Sequence, residues 1–448
     1  METDMTRGNP LPIILKFTLP LLIGNIFQQF YNMVDTIIVG RFVGPDALAA
    51  VGSTGTIMFL VIGFSQGMST GFTVLTSQRF GAGDENGTRR SVANGIILSI
   101  FVIGFMTAIS LTFMRTLLRI MNTPQNIMED AYTYISIICM GIFANVFYNL
   151  FSSFLRSVGN SRIPLIFLVL SACLNIVLDL VFVINFKMGV AGAAWATNIS
   201  QGLSAFLCII YIIRKMPVLT PERHHWKLHG YDTKIQLSVG IPMALQFGIT
   251  ASGTMIMQSA VNLFGSVAVA SNTAANKFQS MVIQGMIAMG QTMATYSGQN
   301  YGKGDVGRIK NGVRLALTAE VIYAVACSVI VILGLPFALR LFFSGHVDLA
   351  EILPWAKTYS YICASFYIPL GTIFIFRNTM QGCGYGLLPM LGGVVELAAR
   401  LVTAMLAIRL VSFPLACACD PAAWLSAALF TGISYVYVIK KVEKKLVS

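Results

Sequence analysis

Two polar residues one helical turn apart, inside an otherwise apolar run, carry the sharpest chemical signal in this sequence. Leu170 to Ile184 reads LSACLNIVLDLVFVI, and Asn175 and Asp179 interrupt it. Four apart on a helix, they share one face. An ionisable residue at the centre of a membrane helix costs about 2.5–3.5 kcal/mol on insertion scales, so it reads first as a functional site, most often for a coupling ion. Carboxylate and amide oxygens together suit a hard monovalent cation such as Na⁺, whereas a proton needs only a carboxylate. A second polar stripe lies in NIFQQFYNMVDTIIVG, where Gln28, Tyr31, Asn32 and Asp35 are spaced i, i+3, i+4, i+7. Its lipid contact would be costly, so it should face a bundle interior or water. It reads as a hydrated cavity wall with a titratable carboxylate, or as a hydrogen-bond network that fixes packing. If Asp35 and Asp179 share one cavity, their charges disfavour each other, and one of them is expected to hold a proton near neutral pH.

Further oxygens lie at similar depth. Tyr134, Asn145, Tyr148 and Asn149 fall in one apolar segment, and Asn145 and Asn149, at i and i+4, either line the same cavity or bond across helices. Thr197 and Asn198 follow GVAGAAWA, whose small residues allow close helix approach. Two other acids lie well inside apolar spans. Glu320 reads as a cavity or packing acid without an assigned role. Glu396 and Arg400 in VVELAAR are expected to pair with each other, which lowers the cost of burying both. Lys277 has no evident local partner. His224, His225 and His229 read as a solvated loop and His346 as an external one, not as metal ligands. The eight cysteines sit mostly in apolar runs and read as core packing. No phosphate-binding loop, nucleophile elbow, HExxH or kinase signature occurs, so ATP-driven transport and hydrolase chemistry have no support and an enzyme is not expected. No cofactor is expected beyond an exchanged H⁺ or Na⁺.

These residues need a membrane scaffold. The chain of 448 residues is 56% hydrophobic and 11% charged, with a mean hydropathy of +0.74. A soluble chain carries about a quarter charged residues, so the composition implies an all-α, polytopic membrane protein. The polar start, METDMTRGNPLP, predicts no cleavable signal. Twelve apolar segments are long enough to span: 14–40, 48–77, 92–114, 130–154, 164–185, 190–213, 236–262, 270–298, 313–337, 353–380, 388–411 and 417–439. The basic residues concentrate in the even-numbered connections and the tail. Both termini are therefore expected on the cytoplasmic side of the inner (plasma) membrane. The net charge of +12 is then an orientation signal with lipid attraction as a consequence, not a sign of nucleic acid.

The halves repeat. Gln78, Phe80, Gly81, Gly83 and Asp84 match Gln299, Tyr301, Gly302, Gly304 and Asp305 at a constant offset of 221; Pro20 and Pro242 are 222 apart; Gly159 and Pro164 precede Gly384 and Pro389 by 225. Each half holds six spans, so the halves should have the same orientation and be related by a pseudo-two-fold along the membrane normal, with a cavity at their interface. The expected division is 1–213 for the amino-terminal bundle, 214–234 for a cytoplasmic linker and 235–448 for the carboxyl-terminal bundle.

Taken together, VDTIIVG, the FGAGD and YGKGD loops, LRSVGNSRIP, NIVLD and GVAGAAWAT resemble the MATE family of multidrug and toxic-compound extruders over essentially the whole chain. The resemblance implies a V-shaped pair of bundles. It also implies antiport of lipophilic, often cationic compounds against Na⁺ or H⁺. In the DinF-like branch the ion site lies in the amino-terminal bundle, and its motif positions fall here on Asp35, Asn175, Asp179 and Thr197, which would also be the metal ligands if Na⁺ is the ion. Gln28, Tyr31, Tyr134 and Asn149 fall where that branch lines the cavity; Asn32 and Asn145 join them from the spacing above. The NorM-like branch also uses a Glu in helix seven and an Asp late in helix ten. Here IPMALQFGITASGTMIMQSAV and FRNTMQGCGYG contain no acid, so the chain looks DinF-like. A monomer is expected. The competing reading is a flippase for a lipid-linked precursor, which would want several cations at depth where this chain offers acids.

Overall fold

The computed structural model describes residues 4–121, 123–342 and 349–447; the expectation for His346 lies outside them. The described chain is helical throughout. The first half runs α1 Pro10–Phe42, α2 Pro45–Ser53, α3 Gly55–Gly81, α4 Glu85–Ile120, α5 Met128–Met140, α6 Ile142–Ser157, α7 Arg162–Asp179 and α8 Gly189–Lys215. The second runs α9 Gly230–Val261, α10 Gly265–Lys303, α11 Val306–Phe342, α12 Leu349–Ala364, α13 Tyr367–Gly382, α14 Leu387–Leu410, α15 Phe413–Cys417 and α16 Cys419–Val447. Among the described residues, nine stretches are long and apolar enough to cross a membrane, one of them holding both α9 and α10, and the pairs α5–α6 and α12–α13 make two more crossings bent by 46° and 48°. The twelve expected spans are thus all helical. Their outward faces are apolar: Leu333, Ile433 and Phe337 are 74%, 73% and 68% exposed, as lipid contact requires.

The repeated loop motif is turn chemistry. Gly83 and Gly304 take the left-handed conformation, with φ of 73° and 81°, which a side chain resists. The acids that follow cap the next helices: Asp84 Oδ1 accepts from the Gly87 N–H at 2.8 Å, and Asp305 Oδ1 from the Arg308 N–H at 2.8 Å. Each satisfies a backbone donor that the first turn leaves free.

Contacts gather the residues into two units, and the grouping does not follow the linker. One comprises Met1–Met5 and Leu19–Phe247, the other Thr6–Thr18 and Gly248–Ser448. The first turns of α9 therefore pack within the first unit, against a glycine ladder on α3. A Cβ on Gly71 would stand 2.3 Å from the Gly240 Cα, one on Gly67 2.6 Å from the Ala244 Cα, and one on Gly63 2.7 Å from the Phe247 ring. Without side chains at these three positions the backbones approach directly, which is how membrane helices gain packing energy where no hydrophobic force acts between them. The first turns of α1 pack within the second unit, where Thr18 and Thr292 hydroxyls meet at 2.8 Å.

The linker is held as well. Asp232, at the start of α9, is 1% exposed and binds Arg90 Nε at 2.7 Å. Asn94 on α4 donates to Gln236 at 2.7 Å. His225 corrects the expectation of a solvated loop. It is 3% exposed, its Nδ1 accepts from the Glu222 N–H, and its Nε2 meets Asn86 Oδ1. Burial, and then the neighbouring His224, holds the His225 imidazole below its ordinary pKa. The expectation stands for His224, which is exposed, while His229 is half-buried and its backbone N–H donates to Asn94 Oδ1 at 3.0 Å.

In the second unit the pairing of Glu396 with Arg400 is only one contact of a longer chain. Arg377 on α13 binds Glu396 directly; Arg400 Nη1 stands 3.7 Å from Glu396, and Arg400 Nε donates to Asp420 Oδ1 on α16 at 2.9 Å. All four side chains are buried, and the missing side chain of Gly253 makes room for the Arg400 guanidinium. Two cations and two anions neutralise one another, which is the condition for keeping charges out of water. Glu320 lies apart. It is buried against Gly371, and its Oε1 has no hydrogen-bond partner among the described residues. Lys277 is exposed on α10.

Two outcomes test this packing. Gly71→Ala should lower the melting temperature of the detergent-solubilised protein by the equivalent of about 1–3 kcal/mol, while Gly104→Ala, where a Cβ meets nothing within 4 Å, should not. Arg400→Met should cost about 3–5 kcal/mol by leaving Asp420 uncompensated, and Asp420→Asn in that background should restore part of the loss, read by the same melts.

Candidate functional site

The first unit contains a cavity of about 460 Å³. Of the residues singled out in the sequence, Gln28, Tyr31, Asn32, Asp35, Tyr134, Asn145 and Thr197 line it. The i, i+3, i+4, i+7 stripe of α1 thus forms one wall. Asn149 does not line it. Its amide donates to the side-chain and backbone oxygens of Asn145 at 3.0 and 2.9 Å, so it orients a lining residue from one turn away. Asn175 and Asp179 are not on the cavity surface either; they are 1% and 0% exposed, behind the wall.

Asp35 and Asp179 face each other within hydrogen-bonding reach. Asp35 is at the cavity surface and 9% exposed, and its Oδ1 has no hydrogen-bond partner among the described residues. Two carboxylates this close, away from water, are stable only with a positive charge between them, whether a shared proton or a cation. The Tyr31 hydroxyl lies beside both acids and within reach of Thr197 and Gln201. Asp35, Asp179, Tyr31 and Thr197 therefore come together from α1, α7 and α8, and Asn175 stands one helical turn before Asp179. Oxygen is the sole donor type in this set, which suits H⁺ or Na⁺. Among the described residues, no group of three His, Cys, Asp or Glu side chains could hold a metal ion.

Local backbone irregularity positions the site. Asp179 is the last α-helical residue before a π-helical turn, Leu180–Asn185, a departure common at functional sites. Across the cavity, Gly141 separates α5 from α6 at their bend. A Cβ on Gly141 would fall 2.1–2.3 Å from the Asn198 carboxamide, which occupies that space and donates to the Ile137 carbonyl at 2.6 Å. The glycine lets the helix break, and the amide adds a second hydrogen bond to the Ile137 carbonyl, which also accepts from the Gly141 N–H.

The sequence reading gave no cavity role to several lining residues. Ser65 and Gln66 come from α3, Gln201 from α8, and Phe59 and Phe247 close the wall edge-on with ring centroids 6.0 Å apart. Gln66 and Gln201 are uncharged amides in apolar segments, a signal that was legible. Phe247 was not, because α9 reaches this cavity only through the glycine ladder.

The sequence pattern of the MatE family matches residues 20–181 and 242–408. The chain belongs to the MatE family. As a member it is a transporter and not an enzyme, and it is a multi-pass membrane protein. It is 28% identical over 384 residues to the probable multidrug resistance protein YpnP of Bacillus subtilis, covering 85% of this chain and 84% of that one. It is 27% identical over 380 residues to YoeA of the same organism, another probable multidrug resistance protein, covering 83% and 81%. Its fold superposes on an outward-facing multidrug resistance MATE family transporter of the MOP superfamily with a TM-score of 0.91, at 23% identity and over 98% of both chains. MatE-family membership covers both repeat halves and both carboxylates of the pair.

Gly141→Ala should displace the Asn198 amide and lower the melting temperature by the equivalent of about 1–3 kcal/mol. Asn198→Ala in the same chain should relieve the clash, so the double mutant should lose less than the two single losses combined.

Proposed function

We propose that the chain is a secondary active exporter that expels lipophilic compounds, cationic ones among them, in exchange for H⁺ or Na⁺. The observation that carries this reading is the facing pair of Asp35 and Asp179, one carboxyl on the cavity wall and the other behind it. The pair needs a positive charge to be stable. A proton or Na⁺ supplies it directly; a cationic substrate in the cavity supplies part of it from the Asp35 side. Occupancy by one then disfavours the other, and by linkage the effect is reciprocal. Thr197 and Asn175 contribute neutral oxygens, which lets Na⁺ exchange its water ligands without a further change of charge. Tyr31 bridges the acids to Thr197 and Gln201, so protonation or ion release at the pair alters the hydrogen bonding of the wall itself.

The wall suits such cargo. Aromatic rings, a methionine and uncharged amides line the cavity, and Asp35 is the one charged side chain among its described lining residues. Flexible apolar contacts tolerate many shapes. The names of the relatives, probable multidrug resistance proteins, support the same reading. The lining holds no Lys or Arg, and the deep cations Arg377 and Arg400 are each paired with acids in the second unit, which disfavours the flippase of anionic precursors. The ion site is placed in the first unit alone, as in the DinF-like branch, because the second unit's Glu396 and Asp420 already carry tethered guanidinium partners and Glu320, also buried there, is a single carboxyl without a second one facing it among the described residues. The protein is placed in the plasma membrane with both termini cytoplasmic, on the distribution of its basic residues.

In reconstituted vesicles, a Na⁺ gradient or a pH gradient imposed separately should drive efflux of a fluorescent lipophilic cation by the wild type. Asp179→Asn and Asp35→Asn should each reduce gradient-driven efflux about 5–150-fold, the usual range of a coupling energy, while equilibrium binding of the dye persists in Asp179→Asn. Undiminished gradient-driven efflux by Asp179→Asn would refute the exchange mechanism.

A further inference from the structure

A groove of about 480 Å³ lies on the second unit between α11, α13 and α16, within the size range of ligand sites. It shares no residue with the exchange site. Its chemistry is graded along α11. Lys310 and Arg314, one turn apart, stand at one end near the start of the helix. Leu317 and Val321 follow on the same side, so that charge gives way to hydrocarbon over about 16 Å.

The charged end is not neutralised. Lys310 Nζ is held by Glu443 at 2.8 and 2.9 Å. Arg314 is exposed and makes no ion pair among the described residues. The acidic neighbour accounts for one cation and leaves the other for an anion from outside. The apolar end has a floor: the rings of Phe376 and Tyr435 stack with centroids 5.0 Å apart and planes 28° from parallel. Gly432 keeps that floor open, since the Phe376 ring is the nearest atom group to where its Cβ would stand, at 3.7 Å. Val321 and Val436, 38% and 49% exposed, form the rim on the outward, lipid-facing side.

A soluble anion would use the guanidinium and leave the apolar trough empty. A neutral hydrophobe would use the trough and leave Arg314 unanswered. A molecule with a phosphate at one end and a hydrocarbon chain at the other uses both, and the bilayer supplies it in the right orientation. Basic pockets between membrane helices hold acidic lipid headgroups on the same physical basis. We propose that this groove binds one anionic phospholipid of the surrounding membrane. Its phosphate rests on Arg314 with support from Lys310, and an acyl chain lies along Leu317, Val321 and the Phe376–Tyr435 floor.

Native mass spectrometry of the full chain in detergent, titrated with phosphatidylglycerol or phosphatidylcholine of the same acyl chains, tests this. The wild type should retain phosphatidylglycerol preferentially. Arg314→Gln should lower that retention about fivefold, the effect of one basic residue at a membrane surface, and leave phosphatidylcholine unchanged. Val321→Trp, which fills the trough at a lipid-facing position and keeps both cations, should also lower phosphatidylglycerol retention. Equal retention of the two lipids by the wild type would overturn the proposal, as would unchanged retention in Arg314→Gln. Loss in Arg314→Gln without loss in Val321→Trp would assign the effect to surface charge and overturn the groove.

Discussion

The first unit is arranged around a repulsion. Asp35 and Asp179 come from helices more than a hundred residues apart in sequence and meet where little water reaches them. Alone, the pair would push α1 and α7 apart. It is tolerable because a mobile positive charge can be placed between its members, and that requirement turns a structural burden into a means of exchange. The surrounding features follow from it. Tyr31 and Thr197 supply neutral hydrogen-bonding groups, the π-helical turn after Asp179 re-aims the end of α7, and the bend at Gly141 opens the cavity on which Asp35 stands.

The second unit solves the same electrostatic problem with covalent means. Of its buried acids, Glu396 and Asp420 face guanidinium groups that cannot leave, while Glu320 stands apart from them. Repeated architecture is thus compatible with divergent chemistry: the loops that start α4 and α11 are built alike from glycine and a capping aspartate, while the interiors differ in whether their positive charge is fixed or exchangeable. A fixed charge stabilises one packing; an exchangeable one allows the packing to depend on what is bound.

Glycine serves two different ends here. At Gly83 and Gly304 it supplies a backbone conformation that other residues resist. At Gly63, Gly67 and Gly71 it supplies absence of volume, so that α9 lies directly on α3. The second use ties the helix that follows the linker to the unit that precedes it, and it carries Phe247 to the cavity wall. The linker itself is anchored by Asp232 and His225, so this attachment is reinforced at the membrane edge.

Much of this was legible in the residues alone. Twelve apolar runs dictate helices, because the backbone must bond to itself in lipid. The spacing of Gln28, Tyr31, Asn32 and Asp35 dictates one polar face, and the helix period places Asn175 one turn from Asp179. Matching loop motifs dictate two like halves. Such features depend on local periodicity and on the solvent, which sequence carries directly. Other outcomes depended on partners distant in the chain, and only the tertiary structure decided them. Local spacing pairs Arg400 with Glu396, yet its shorter bond goes to Asp420 on another helix. Asn149 could reach across helices by its composition, yet it turns to Asn145 on its own helix. Asp179, the strongest signal in the sequence, lies behind the cavity wall, and it is Asp35 that meets the cavity. Which carboxylate is exposed is set by how α1 and α7 rotate against α8, a property of the packing that no single stretch of sequence contains.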